Sequence, residues 1–194
     1  MYRLKHILDP KNVLMSDRTP TPDPQYPTYQ TIFRPVEESF VHLIFIAYYT
    51  GDLTVTYDGN TYTFDNSQSG HVNIISGIPA GDVAIFTGAL SKFVITQIAD
   101  YVAVGDTLIM INLMSAGTID LRNANNNLIG GINTHAQTHT LYAKATSVSL
   151  KDLCLNILTN STVSDGTLWI NPSDTYAADV IAAAEAKGWS VYEL

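Results

Sequence analysis

The residues in this chain that could hold a metal or attack a substrate are few. His135 and His139 stand four apart in HAQTH. On a helix they would share a face, but a zinc protease needs a glutamate directly after the first histidine, and Ala136 stands there. In an extended segment His135, Gln137 and His139 share a face instead. Two imidazoles do not complete a tetrahedral zinc site. The pair therefore reads as surface histidines, and neither a metal nor another cofactor is expected. Cys154 is the single cysteine. It lies in SLKDLCLNILTN on the apolar side of an expected helix and can form no disulfide within the chain. Nucleophilic catalysis would need a histidine and a third orienting group beside it, and the sequence points to neither. Cys154 is read as a buried structural thiol. Glu37 and Glu38 are adjacent, so they cannot both face one site as the paired carboxylates of a glycosidase do. GIPAG (77–81) and IGG (129–131) are read as turns, and neither opens a helix as a phosphate loop would. The expectation is that the protein is not an enzyme.

Composition favours recognition. Tyrosine occurs 11 times, and exposed tyrosine supplies contact area at low entropic cost. Hydrophobic residues make up 46 %, enough for a core, whereas charged residues are only 14 %, well under the usual quarter. Asn, Thr, Ser, Gly and Tyr take the polar positions, which suits β-rich proteins of extracellular type. The net charge is −8 with 10 Lys+Arg. No basic stripe of the kind a nucleic-acid binder carries is visible, and the acidity opposes an anionic membrane surface. The opening MYRLKHILDPKNVLMSDRTP lacks the apolar stretch and small-residue cleavage site of a signal peptide, so no export signal is expected. FVHLIFIAYY (40–49) is too short to cross a bilayer and reads as a buried strand.

Three regions emerge. Residues 1–36 read as an extended arm: Pro20, Pro22, Pro24, Pro27 and Pro35 favour polyproline II over helix or central strand. Tyr26, Tyr29, Ile32 and Phe33 give this arm apolar hooks for a partner. Residues 37–70 read as a β lead-in, in which Leu53, Val55 and Tyr57 alternate before Asp58-Gly59, a strong hairpin turn, and Tyr62 and Phe64 alternate after it. Residues 71–194 read as stacked coils. Short apolar strands recur at 72, 83, 93, 108, 118, 140 and 167, and those at 72, 93, 118, 140 and 167 follow one another at roughly 21–27 residues, the period of a solenoid. Val83, Ile85, Gly88 and Leu90 fit a coil pattern of two inward apolar residues, a small turning residue and a closing apolar one. Leu141, Ala143, Thr146 and Val148 fit it too. The asparagines of RNANNNL (122–128) are placed to satisfy turn carbonyls between coils. Two helices are expected. One spans 150–158, capped by Ser149 with Asp152 completing a capping box. The other spans 175–187, capped by Ser173 or Asp174 and ended by Gly188, with Trp189 and Val191 inward beyond it.

The closing stretch GTLWINPSDTYAADVIAAAEAKGWSVYEL resembles the C-terminal coil of irregular leucine-rich-repeat proteins found on gut-bacterial surfaces and in phage tail and fibre proteins. GDLTVTYDGNTYTF is similar to the small β lead-in that precedes such repeats. The resemblance covers roughly residues 48–194. It implies a mainly β protein: a hairpin lead-in, a leucine-rich-repeat-like β-solenoid with a few short helices, and an α-β C-terminal cap. The expected function is a phage virion structural protein, in the tail, collar or head fibre, assembled in the host cytoplasm. The arm would anchor it to other virion proteins or to its own copies. The β body would meet a host surface glycan or protein, with no nucleic acid bound and no membrane insertion. The alternative expectation is an adhesin or carbohydrate-binding module on the bacterial cell surface.

Overall fold

The computed structural model describes residues 30–35, 41–57, 59–78, 82–132 and 137–194. The hairpin forms where the sequence places it. Strand β2 (Val41–Tyr57) pairs antiparallel with β3 (Asn60–Phe64), from Leu53 opposite Phe64 to Tyr57 opposite Asn60. Gly59 takes φ 70°, the left-handed backbone that a tight hairpin turn needs. The two apolar runs read before that turn are one bent strand. Gly51 adopts φ 77°, and the pairing of β2 with its neighbour skips from Thr50 to Thr54. Leu43, Phe45, Ala47, Leu53, Val55 and Tyr57 are all buried, so β2 keeps one face inward along its length. A short 3₁₀ turn at Asn66–Gln68, capped by the Asp65 carboxylate, leads into β4 (Val72–Ile78), which lies antiparallel along the first half of β2, on the same edge as β3 and opposite β5.

β5 (Ala84–Ala103) unites two strands that the sequence suggests separately. Leu90 faces Tyr49 and Lys92 faces Tyr48, leaving Ser91 as an extra residue. This bulge lets both Leu90 and Phe93 point into the core, where Phe93 packs on Phe86 and Phe45. It also corrects the coil pattern expected at 83–90. Ala84 and Phe86 enter the main core, whereas Val83 and Ile85 pack on a smaller cluster formed by Ile32, Tyr101 and Ala103. β1 (Gln30–Pro35) explains that cluster. Ile32 lies opposite both Ile85 and Ala103, so β5 must curl through a circuit that brings its two ends to either side of β1. Ile32 and Phe33 are fully buried there. Residues 30–35, expected in the arm, belong to the folded body; residues 1–29 and 36–40 lie outside the described ones.

Beyond β5 the strands run parallel. β6 (Met110–Asp120) follows β5 in register over both halves, Lys92 to Ile95 and Tyr101 to Ala103. β7 (Ile129–Ile132) pairs with the first half of β6. β8 (Thr140–Tyr142) pairs with the second half, β9 (Thr167–Ile170) with β8, and β10 (Ser190–Glu193) with β9. Together the ten strands make one open sheet, and the chain is mainly β with two helices among the described residues. The IGG segment expected as a turn is strand β7. A Cβ at Gly130 would come within 2.5 Å of the Ile111 side chain, so glycine there permits close strand approach and is not a turn residue.

Helix α1 (Val148–Asn160) buries Leu150, Leu153, Cys154, Ile157 and Leu158, the stripe its 3.6-residue period calls for. Its cap is Ser147, whose hydroxyl accepts from the Leu150 N–H, not Ser149, which lies one residue inside the helix. Val148, expected to close a coil inward, is exposed as the first helical residue. Helix α2 (Ala177–Ala186) follows Tyr176 and has no side-chain cap. Asp174 is occupied elsewhere, accepting the Ala145 N–H at 2.7 Å. The end of α2 is as expected. Gly188 takes φ 86°, Gly188 N–H reaches Glu185 C=O at 3.0 Å and Trp189 N–H reaches Ala184 C=O at 2.9 Å, the paired bonds of a Schellman stop. Trp189 then turns into the core, in the same cluster as Val180 and Ile170.

Candidate recognition face

Four tripeptides share one pattern: Thr118-Ile119-Asp120, Thr140-Leu141-Tyr142, Thr167-Leu168-Trp169 and Ser190-Val191-Tyr192. In a strand the middle residue points opposite to its neighbours. Ile119, Leu141 and Leu168 are accordingly buried, and Val191 packs on the same core. The first and third residues lie on the opposite face, where Asp120 is buried and the others are partly or fully exposed. Because the strands are in register, each position forms a continuous row across the sheet. One row is Thr118, Thr140, Thr167 and Ser190; the other is Asp120, Tyr142, Trp169 and Tyr192.

The second row is a ladder of rings. Tyr142 and Trp169 stack with centroids 6.1 Å apart and planes at 15°. Trp169 and Tyr192 stack at 4.8 Å and 24°. Such contacts contribute about 0.5–1.5 kcal/mol each beyond area burial, so the rings are held in fixed planes. At one end the Arg122 guanidinium lies 4.4 Å over the Tyr142 ring. The same guanidinium forks onto Asp120, Nε at 2.9 and 3.1 Å and Nη2 at 2.5 Å. The Tyr101 hydroxyl donates to Asp120 Oδ2 at 3.1 Å. The hydrogen bonds that Arg122 donates to Asp120, acting against desolvation, raise the Arg122 pKa further above its ordinary value. Arg122 is a permanent cation anchored in place. At the other end Tyr192 is 46 % exposed, and its strand is the last of the sheet among the described residues.

Beside Arg122 the surface sinks into an open depression of about 620 Å³ lined by Asp106, Arg122, Asn123, Asn125, Asn126 and Lys144, among others. The asparagines here serve the turn differently from the expectation. Asn125 Oδ1 accepts the Asn127 N–H at 2.8 Å, and Asn126 Oδ1 accepts the Thr146 hydroxyl at 2.7 Å. It is Lys144 that satisfies a turn carbonyl, that of Ala124, at 2.8 Å. Amide, ammonium, guanidinium and carboxylate groups thus adjoin a row of hydroxyls and a row of aromatic rings. This arrangement suits a ligand with many hydroxyls and apolar C–H patches.

Of the residues expected to meet a partner, Ile32 and Phe33 are packed inside their own chain, while Tyr26 and Tyr29 lie outside the described residues. His139 is exposed, its Nδ1 3.1 Å from the Thr140 hydroxyl; His135 lies outside the described residues. Among the described residues no three potential metal ligands cluster. Cys154 is fully buried, and burial pushes its thiol up to about 12. The ladder residues were missed because each strand was read for its inward apolar positions alone. The repeated hydroxyl–aliphatic–aromatic triplet was the available signal. Compared with family models, curated proteins and solved structures, the chain matches none.

Proposed function

We propose that this protein is a non-enzymatic phage virion component, of tail, collar or head fibre, whose ladder face binds a glycan on the host surface. The observation that carries the glycan reading is the in-register row Tyr142, Trp169 and Tyr192 beside the hydroxyl row and the asparagine-lined depression. Aromatic rings take the C–H faces of sugars, and fixed amides and charged groups take their hydroxyls, as in other polar-and-aromatic binding sites. The virion context rests on the resemblance of the closing coil to phage tail and fibre proteins. The body from β5 onward is read as a short solenoid of leucine-rich-repeat type. Support for this comes from the circuit of β5 round β1 and from the parallel register of β6, β8, β9 and β10, with α1 and α2 taking the place of strands in the last coils. In this reading the segment upstream of Gln30 joins the protein to other virion proteins or to its own copies.

The ladder would serve an adhesin or carbohydrate-binding module of the bacterial surface equally well, so location is what separates the two. Mass spectrometry of purified phage particles and of host envelopes is the test. Recovery in particles at a fixed ratio to the capsid protein supports the virion reading. Recovery in envelopes of uninfected cells overturns it in favour of the adhesin. Glycan binding is tested separately with ladder variants.

A further inference from the structure

The register that builds the ladder runs on past its rings. β6 ends at Asp120 and β8 at Tyr142, yet Leu121 N–H still reaches Tyr142 C=O at 2.8 Å and Ala143 N–H reaches Trp169 C=O at 2.7 Å. Arg122, Lys144 and Asn171 therefore stand side by side, two residues beyond Asp120, Tyr142 and Trp169. Residues two apart in an extended chain share a face. These three make a further row, about 6.6 Å along the strand direction from the rings. Arg122 and Lys144 of this row also line the open depression, together with Asn125 and Asn126.

Hydrogen-bond accounting shows what is left here for a ligand. Arg122 is committed to the Asp120 carboxylate and the Tyr142 ring. Lys144 differs. It donates to Ala124 C=O at 2.8 Å, and among the described residues no carboxylate pairs with it. An ammonium carries three N–H groups, so two are left together with an uncompensated charge. The asparagines are spent on their acceptor side. Asn125 Oδ1 takes the Asn127 N–H, Asn126 Oδ1 the Thr146 hydroxyl, and Asn171 Oδ1 the Ser173 N–H at 3.0 Å. With the oxygens held by turns, each amide has its NH₂ left, which is a donor. A sugar hydroxyl both donates and accepts, so such partners meet only half of it. An ionised carboxylate only accepts, and its bonds to an ammonium are charge-assisted. The one carboxylate that lines the depression, Asp106, follows β5. It lies two strands from Lys144, on the side away from the rings, which is roughly 10 Å at the usual strand spacing.

Taking the ladder as the glycan site, we propose that the glycan it binds is acidic. A uronic acid residue lies over Tyr142 and Trp169 with its carboxylate against the Lys144 ammonium and the asparagine amides. The test prints purified bacterial surface polysaccharides as an array, each one native and with its uronic carboxyl groups reduced to hydroxymethyl groups. The full chain is applied beside Lys144→Gln, which keeps an N–H for Ala124 C=O, and Asp106→Asn, each checked for a matched circular dichroism spectrum. The expected result is binding to native acidic polysaccharides that reduction abolishes. Lys144→Gln should weaken it about tenfold or more, the size of a hydrogen bond to a charged group. Asp106→Asn should strengthen it about twofold, as a charge removed at that distance through water would. Equal binding to native and reduced forms overturns the acidic assignment and leaves the ladder reading standing. So does a preference for native forms that Lys144→Gln leaves unchanged, since the carboxylate would then sit elsewhere. Binding to no polysaccharide in either form overturns the ladder reading and the acidic assignment with it.

Discussion

Trp189 and Gly166 show how one side chain closes the molecule. Trp189 is buried, and its Nε1–H donates to Val163 C=O at 2.8 Å. A Cβ on Gly166 would come within 2.5 Å of the indole. Trp189→Ala should destabilise the protein by about 3–5 kcal/mol, and Gly166→Ala by about 1–3 kcal/mol through overpacking, both read from urea melts. Cys154 gives a pH prediction. Its thiol is raised from 9.0 to about 12, first by desolvation. Between those values the unfolded chain has released the proton and the folded chain still holds it. Stability is therefore intact below pH 9 and falls as pH rises towards 12, by about 1.4 kcal/mol per unit for this group. Relative to Cys154→Ala, the parent should lose stability over that window, and a disulfide reagent should label Cys154 only in denaturant. Equal slopes for the two proteins would refute the assignment. The burial of Cys154 and the inward turn of Trp189 were legible in the sequence, because helix periodicity and the Lys-Gly-Trp stop act locally. The Asp120–Arg122–Tyr142 cluster was not, because it forms only when β6 and β8 pair in register.

At the scale of elements, the caps and the first strand carry the tests. Ser147→Ala removes the α1 cap and should cost about 1 kcal/mol, whereas Ser149→Ala, inside the first turn, should change the melting midpoint little. A larger effect at Ser149 would restore the capping box expected there. The sequence pattern Ser-x-x-Asp is real, but the helix begins two residues earlier because Ser147 is already tied to the carbonyl of Asn126 in the turn after β6. A chain beginning at Gln30 keeps β1 and should give the native β spectrum. One beginning at residue 37 loses the buried Ile32 and Phe33 and should melt at markedly lower denaturant. Equal stability of the two truncations would mean that β1 is dispensable. Prolines around 20–35 led to an arm reading through to residue 36. That reading failed at its end because Thr31, Ile32 and Phe33 make a short apolar strand that only the curl of β5 provides a lane for.

For the molecule as a whole, the sequence showed recurring short strands, and their spacing pointed to stacked coils. It did not show that the strands at 83 and 93, or at 108 and 118, are single continuous ones, since bulges such as Ser91 leave no compositional mark. Nor did it show which faces would be left outward. The folded chain has two: an apolar one near the N-terminal segment and an aromatic–hydroxyl one towards the C-terminus. We assign the second to a host glycan. The most direct test of that account is affinity electrophoresis of the parent protein and Trp169→Ala through gels containing host surface polysaccharide. Trp169 is only partly buried, so the variant should remain folded, as a matched spectrum would verify. The account predicts that the parent is retarded and that the variant migrates as it does without polysaccharide. Equal migration of the two proteins in the polysaccharide gel would contradict it.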